Sequence, residues 1–383
     1  MSTDASLEWL LSPGSSARTA EELVAGLAER LDAEGIPVVR SSLSLLTLHP
    51  ELFVRNITWS AEGGYSVFER GDEIRSTPFY LDSPPAKIHS GADEIRCRFE
   101  GDAPDQRFGI CGDLIALGYT DYLALVVPFR DGRRTFMSWA IKRPGGFTDN
   151  EVSRLRSLVP ALSLRLELAS VQHAMRSLLE VYLGHNAARR ILAGAFRRGG
   201  GETIRAAIWS CDMRGFTTLA DRLPGEEVVA VLDRYFETVC GPIKEGGGEV
   251  LKFVGDAVLA IFPADGDDAA ACRRALAAAK EAIDGMRRSN EARGESIRFG
   301  VGLHLGDITY GNIGAQRRLD FTVIGAAVNE VSRVEPLCKD LQRALLVTDV
   351  FAANVEGRGL VSLGQHTLRG VSEPRTIYGV EGY

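Results

Sequence analysis

The chain has 383 residues, 45% of them hydrophobic and 25% charged, with a formal net charge of −7. That apolar content suffices for packed cores and excludes bulk disorder, and the length favours two domains with a connector. The acidic balance argues against a nucleic-acid partner held by general phosphate attraction, but not against a nucleotide, which needs only a few placed cations and metals. Six cysteines (Cys97, Cys111, Cys211, Cys240, Cys272 and Cys338) occur without a C-x-x-C pair, which reads as reduced thiols in a cytoplasmic protein. No basic segment opens the chain and no apolar run approaches bilayer length, so a soluble protein with no membrane span is expected. A Walker A sequence and H-E-x-x-H are both absent, which removes two common phosphate and metal chemistries.

In chain order, Thr19-Ala-Glu-Glu22 fits a capping box, and Leu23, Leu27 and Leu31 follow at helical spacing until Gly35. Strand-like runs cover 38–48, 53–60, 65–69, 95–99, 122–129 and 135–142, with 71–91 read as mostly loop because of Pro78, Pro84 and Pro85. Arg130-Asp-Gly-Arg133 is the turn between the last two strands. One helix, several strands and a closing helix predict an α+β module built on an antiparallel sheet. Trp59, Phe79, Tyr80, Phe99 and Phe108 are candidates for a ligand pocket or for plain core. His49 and His89 are candidate metal or haem ligands or, without a spacing signature, surface or packing histidines.

Thr148-x-x-Glu151 is a second capping box, opening a long helical segment. Leu155, Val159, Leu162, Leu166, Ala169 and His173 follow alternating steps of four and three, a coiled-coil seam that either packs on the sheet or pairs two chains in parallel. Pro160 is expected to kink it. A second helical stretch covers 175–195, and a glycine-rich hinge follows over 197–202. From residue 203 the pattern reads strand (204–211), helix (225–245), hairpin, helix (267–288), strand (297–305), strand (320–324) and helix (326–337). The apolar face expected for 225–245 is Val228, Val229, Leu232, Tyr235, Phe236 and Val239. A four-stranded sheet with helices on one face is the ferredoxin-like palm arrangement.

Two carboxylates stand out. Glu249-Val-Leu-Lys-Phe-Val-Gly-Asp-Ala-Val-Leu-Ala-Ile-Phe262 reads as a hairpin with Asp256 at its turn, and Asp212 ends the run from Ile204. Two strand-end carboxylates on one sheet can hold a pair of Mg²⁺ ions that bridge substrate phosphates.

The layout of the first half, ending in a hairpin and then Gly146-Phe-Thr-Asp-Asn-Glu151, resembles a GAF domain. That resemblance implies a sensor over residues 1–148 with an unknown small-molecule ligand, followed by a helical connector over 149–202. Asp212-Met-Arg-Gly-Phe-Thr217, Leu251-Lys-Phe-Val-Gly-Asp256, Asp320-Phe-Thr-Val-Ile-Gly325 and Val328-Asn-Glu-Val-Ser-Arg333 resemble, in order, the four signature blocks of class III adenylate cyclases. The resemblance spans roughly 203–379 and implies a catalytic domain over 203–383 that converts ATP to 3′,5′-cyclic AMP and pyrophosphate. Asp212 and Asp256 are then ligands of two Mg²⁺ (or Mn²⁺) ions, and Met213, Arg214, Gly215, Phe216 and Thr217 offer backbone N–H groups to the terminal phosphates.

Asn329 and Arg333, four apart and so on one helix face, would orient the ribose and stabilise charge on the α-phosphate. Lys252 as donor and Thr322 as acceptor match adenine, and Asp320 shares the strand face of Thr322. Arg369 stands where the family has a phosphate-binding lysine. The family builds its site from two protomers, and one copy of each block per chain implies a homodimer with two equivalent sites. Alternatives are a guanylate cyclase and a catalytically inactive nucleotide-binding regulator.

Overall fold

The computed structural model describes residues 5–12, 17, 19–47, 52–194, 200–316, 318–355 and 359–383, and the chain divides into two units, Met1–Leu178 and Leu179–Tyr383. His49 and part of the expected hinge lie outside the described residues. Among those described, no helix is long and apolar enough to cross a membrane.

The first unit comprises α1 (Ala5–Leu11), α2 (Ala20–Ala33), β1 (Val38–Leu46), β2 (Val54–Ser60), β3 (Gly64–Arg70), α3 (Pro78–Leu81), α4 (Pro84–His89), β4 (Glu94–Arg98), α5 (Gly109–Ala116), β5 (Asp121–Pro128) and β6 (Arg134–Ile141). It is closed by α6 (Asp149–Leu183), which runs on past the unit boundary. The six strands form one antiparallel sheet in the order β3-β2-β1-β6-β5-β4. Alternation along β5 and β6 gives the sheet two buried faces. Leu123, Leu125, Met137 and Trp139 pack with α2 and α6, while Tyr122, Ala124, Phe136 and Ala140 pack with α4 and α5. The capping box at Thr19 forms as expected.

One expectation changes here and two open alternatives are decided. Residues 71–91 are not mostly loop, because Pro78 and Pro84 each follow a Thr or Ser cap and start a short helix instead of breaking one. The aromatic candidates do not gather round one pocket. Trp59 is buried on the α2/α6 face, Phe99 and Phe108 on the other, and Phe79 is exposed. His89 is a packing residue, its Nδ1 2.7 Å from the Tyr80 hydroxyl, and burial, aided by Arg134, pushes the imidazole down to about 4.

The helix α6 continues through Pro160, since Leu155, Leu158, Ala161 and Leu162 on either side are buried in the unit's core. Leu162 and Leu166 share that fate, so the seam expected from sequence packs on its own sheet. A different stripe is left outside. Leu164, Leu168, Val171, Met175, Leu178 and Tyr182, again in steps of four and three, are between 37% and 74% exposed.

The second unit begins with the end of α6 and comprises α7 (His185–Leu192), β7 (Gly201–Met213), α8 (Phe216–Ala220), α9 (Gly225–Glu245), β8 (Glu249–Val254), β9 (Ala257–Pro263), α10 (Asp268–Arg293), β10 (Phe299–Ala315), β11 (Arg318–Ile324), α11 (Ala326–Asp340), β12 (Leu345–Thr348), α12 (Asp349–Ala352), β13 (Leu360–His366) and β14 (Arg375–Val380). Its sheet has eight strands where four were expected, in the order β13-β14-β12-β10-β7-β9-β8 with β11 beside β10. The β10–β12 pair is parallel and the others are antiparallel. Helices cover both faces instead of one. Ala207, Trp209 and Cys211 of β7 pack with α9 and α10, whereas Ala206 and Ile208 pack with α7 and α11. On α9 the core side is Val231, Tyr235, Val239 and Ile243, leaving the expected core residue Val229 exposed.

The strand β10 runs ten residues past its expected end at Leu305. Gly306-Asp307 looks like a turn in sequence, but Gly306 is there for space: a Cβ would stand 2.5 Å from the Ala327 Cβ of α11.

One buried ion pair locks the first unit. Asp121, fully buried at the start of β5, accepts from Arg96 Nη2 at 2.7 Å and from the Phe147 N–H at 3.0 Å, joining β4 and β5 to the turn that leads into α6. Asp121→Ala would leave Arg96 without its partner and is expected to cost about 3–5 kcal/mol. The check is urea unfolding followed by the first unit's tryptophans, where the midpoint should fall without loss of the second unit's transition.

Candidate active site

The strand β7 pairs with β9 so that Cys211 faces Val258, which brings Asp212, the next residue along β7, to the Gly255-Asp256 turn between β8 and β9. The two carboxylates are within interaction distance. Burial first, and then the Asp256 carboxylate, push Asp212 up to about 6, with the Arg214 guanidinium pulling the other way. Oxygen-only donors crowded at a half-buried spot fit a hard divalent cation, which would relieve their repulsion. The residues present therefore suit Mg²⁺ or Mn²⁺.

A cleft of about 1240 Å³ opens beside the pair, lined by Asp212, Asp256, residues 213–218 and, across from them, basic side chains that include Arg298, Lys339 and Arg343. Within the 213–217 segment the backbone donors are not equivalent. The Arg214 N–H donates to Arg298 O at 2.7 Å and is not available to a phosphate, whereas Met213, one residue back on β7, turns its N–H away from β10 to the side of the Asp212 carboxylate. The short helix α8 makes its first intrahelical bond from Leu219 N to Gly215 O, which leaves the N–H groups of Phe216 and Thr217 facing outward from its first turn.

The Arg214 side chain occupies space that Gly300 leaves open. A Cβ on Gly300 would stand 2.0 Å from Arg214 Nη2. From there the guanidinium makes an ion pair with Glu335 of α11, Nη2 to Oε1 3.1 Å. Burial pushes Glu335 up to about 7, opposed by Arg214 and reinforced by Asp212 and Asp256. Sequence reading missed Glu335. It sits two residues after Arg333 and so on the opposite side of α11, and only knowledge of which face covers β7 and β10 would single it out.

The base-reading candidates form a second group. Lys252 Nζ on β8 is 3.4 Å from Asp320 Oδ2 on β11. Thr322, two residues along β11, is buried with its hydroxyl unpaired. Asn329 and Arg333 share one exposed face of α11, and Arg369 is exposed in the segment between β13 and β14. None of Lys252, Thr322, Asn329, Arg333 or Arg369 lines the cleft beside the carboxylates. Within one chain the structure brings Asp212 and Asp256 together, brings Lys252, Asp320 and Thr322 together, and turns Asn329 and Arg333 outward.

Residues 202–378 match the family model described as the adenylate and guanylate cyclase catalytic domain. An uncharacterized protein of Mycobacterium tuberculosis is 36% identical over 200 residues, 51% of this chain and 35% of that protein. The adenylate cyclase of Anabaena cylindrica is 33% identical over 162 residues, 41% of this chain and 32% of that protein. The chain thus spans roughly a third of the length of the curated relatives it matches. The structure of a bacterial light-regulated adenylyl cyclase aligns with a TM-score of 0.50 at 21% identity, covering 67% of this chain and 86% of that one, a likeness of fold alone. By its matched sequence, the segment 202–378 belongs to the adenylate and guanylate cyclase catalytic-domain family.

Proposed function

We propose that the second unit converts ATP to 3′,5′-cyclic AMP and pyrophosphate, acting as a homodimer under the control of the first unit as a GAF-like sensor. The observation that carries this reading is the Asp212–Asp256 pair at the edge of a cleft large enough for a nucleoside triphosphate, within a cyclase-family domain. Asp212 and Asp256 would hold two Mg²⁺ or Mn²⁺ ions, which when bound supply charge neutralisation for the triphosphate and acidify the ribose 3′-hydroxyl.

The chain's own groups do the rest. The free N–H groups of Phe216 and Thr217 take the terminal phosphates, and Arg369 is a further phosphate donor. Lys252, steadied by Asp320, donates to adenine N1, and the unpaired Thr322 hydroxyl accepts from the N6 amine. Asn329 holds the ribose so that its 3′-oxygen faces the α-phosphorus. Arg333 stabilises the charge that develops on the α-phosphate oxygens as pyrophosphate leaves.

The outward direction of Asn329 and Arg333 supports the dimer, because these groups reach a substrate beside Asp212 and Asp256 only from another chain. The exposed stripe on α6 supports it too, since steps of four and three make a self-complementary seam for two parallel helices. Six free cysteines fit a reducing, cytoplasmic setting.

Purified protein incubated separately with ATP and GTP in the presence of Mn²⁺, with products resolved by chromatography, tests the reading. Cyclic AMP from ATP is the expected product; cyclic GMP alone, or no product, would overturn the adenylate assignment. Asp256→Asn should lower turnover at least tenfold, about 1.4 kcal/mol or more of barrier, while leaving the dimer intact.

Asp256→Asn and Arg333→Ala should each be inactive alone yet recover when mixed. With free exchange about half the dimers are mixed and each keeps one intact site, giving roughly a quarter of wild-type activity. Mixed dimers confirmed by native mass spectrometry and still inactive would confine the site to one chain.

Charges in the α6 seam give an independent check. Leu168→Glu with Met175→Glu should shift the protein toward monomer by sedimentation and lower activity in proportion. A dimer of unchanged strength would remove the stripe from the interface.

A further inference from the structure

The catalytic reading uses nothing from one side-chain cluster in the first unit. Cys97 in β4, Asp105 in the loop after it and Cys111 in the first turn of α5 bring two Sγ atoms and a carboxylate oxygen within 4.8 Å of one another. They come from three separate stretches, each fixed by its own backbone bonds. Cys97 is paired in the β4–β5 ladder, the Asp105 N–H donates to Arg98 O at 2.9 Å, and the Cys111 N–H donates to Phe108 O at 2.9 Å.

Two buried cysteines alone are ordinary core residues. What packing does not explain is the carboxylate held beside them. Arg107 holds it there. Its Nε is 2.9 Å from Asp105 Oδ2, while Nη2 donates to Arg96 O at 2.8 Å and stands 3.9 Å from Cys97 Sγ. A cationic donor touching both a carboxylate and a sulfur is the kind of outer partner that metal ligands carry. Both sulfurs are buried among apolar side chains, Phe99, Phe108 and Leu114 among them, so the site is dry on the protein side. Asp105 is only partly buried and provides the open side.

We propose that Cys97, Asp105 and Cys111 bind one thiophilic divalent cation of the Zn²⁺ class, with its fourth position open to water or a small ligand. Charge supports this choice. Two thiolates and a carboxylate carry three negative charges, which a divalent cation and Arg107 balance. Two thiolates among three ligands favour a soft or borderline ion over Mg²⁺ or Ca²⁺. On binding, the two thiol protons leave to solvent and the sulfurs each give one electron pair to the ion. The site is independent of the cyclase reading, since it lies within the first unit and shares no residue with the catalytic cleft.

The test uses the full-length, fully reduced protein titrated with Co²⁺. A site with two thiolates gives a near-ultraviolet sulfur-to-cobalt charge-transfer band and strong visible bands of a four-coordinate ion, saturating at one Co²⁺ per chain and bleached by Zn²⁺. Co²⁺ held by Asp212 and Asp256 has no thiolate ligand and contributes no such band. The charge-transfer band should vanish in Cys97→Ser and in Cys111→Ser. Asp105→Asn, at a partly exposed position, should weaken binding at least tenfold with an unchanged circular dichroism spectrum. A colourless titration of protein whose thiols are shown to be free overturns the proposal, as does a band that survives Cys97→Ser. Unchanged affinity in Asp105→Asn overturns the three-ligand site.

Discussion

Two carboxylates are forced together at one end of the second sheet, and most of the surrounding sequence makes sense as the means of keeping them there. The register of β7 against β9 sets Asp212 beside the turn that carries Asp256. A full layer of apolar side chains beneath it, with Trp209 and Phe262 at 6.5 Å between rings, makes a slip in that register expensive, because it would drive Trp209 and Cys211 into the α7/α11 face and pull Ala206 and Ile208 into the α9/α10 face. Burial and the neighbouring Asp256 carboxylate raise the proton affinity of Asp212, and the Arg214 guanidinium opposes that effect. Gly300 leaves the room that lets Arg214 lie there, and Glu335 anchors it. The pair is therefore an electrostatic load of the kind that a divalent ion would relieve.

The elements that carry these carboxylates were legible in sequence because local signals and tertiary demands agree there. A hairpin with Gly-Asp at its turn needs a left-handed residue at Gly255, which has a φ of +65°, and the strands either side are β-branched and apolar. The bounds read for α9 hold as well, since its stripe, its Pro-Gly start and its glycine-rich end all point to one helix. Where signals conflict with packing, the sequence misleads. Gly306 imitates a turn while serving the approach of α11, and Pro78 and Pro84 imitate breakers while opening helices. The strands β12, β13 and β14 are short and none alternates, since β12 is buried throughout, β13 is exposed or half-buried and β14 is half-buried or buried.

Of the candidate site, the placement of the two carboxylates was legible because a motif carries it, and features tied to a helix face were not. Asp212 and Asp256 follow from a strand end and a hairpin turn, while Lys252 and Thr322 were singled out only through the family resemblance and their donor and acceptor chemistry. Glu335 depends on the rotation of α11, and the loss of the Arg214 donor depends on how far the β7–β10 ladder extends. Both are tertiary facts with no local trace.

The helix α6 shows the same limit from another side. An amphipathic helix advertises its buried face because the opposite face is polar, but α6 is apolar on both. Two stripes in steps of four and three run along it, offset so that Leu162 and Leu166 point into the sheet while Leu164 and Leu168 point away. Either stripe satisfies the heptad rule, and periodicity alone offers no means of ranking them. The sheet decides by taking one, which leaves the other as six exposed apolar side chains on a single helix face. A surface of that kind is costly in water unless something covers it. The outer face of α11 poses a matching question, since Asn329 and Arg333 are exposed there and do not line the cleft of their own chain. The proposed dimer would answer both at once, because two parallel α6 helices would bury the stripe in each other and a two-fold partner would supply each cleft with the residues that the other chain turns outward.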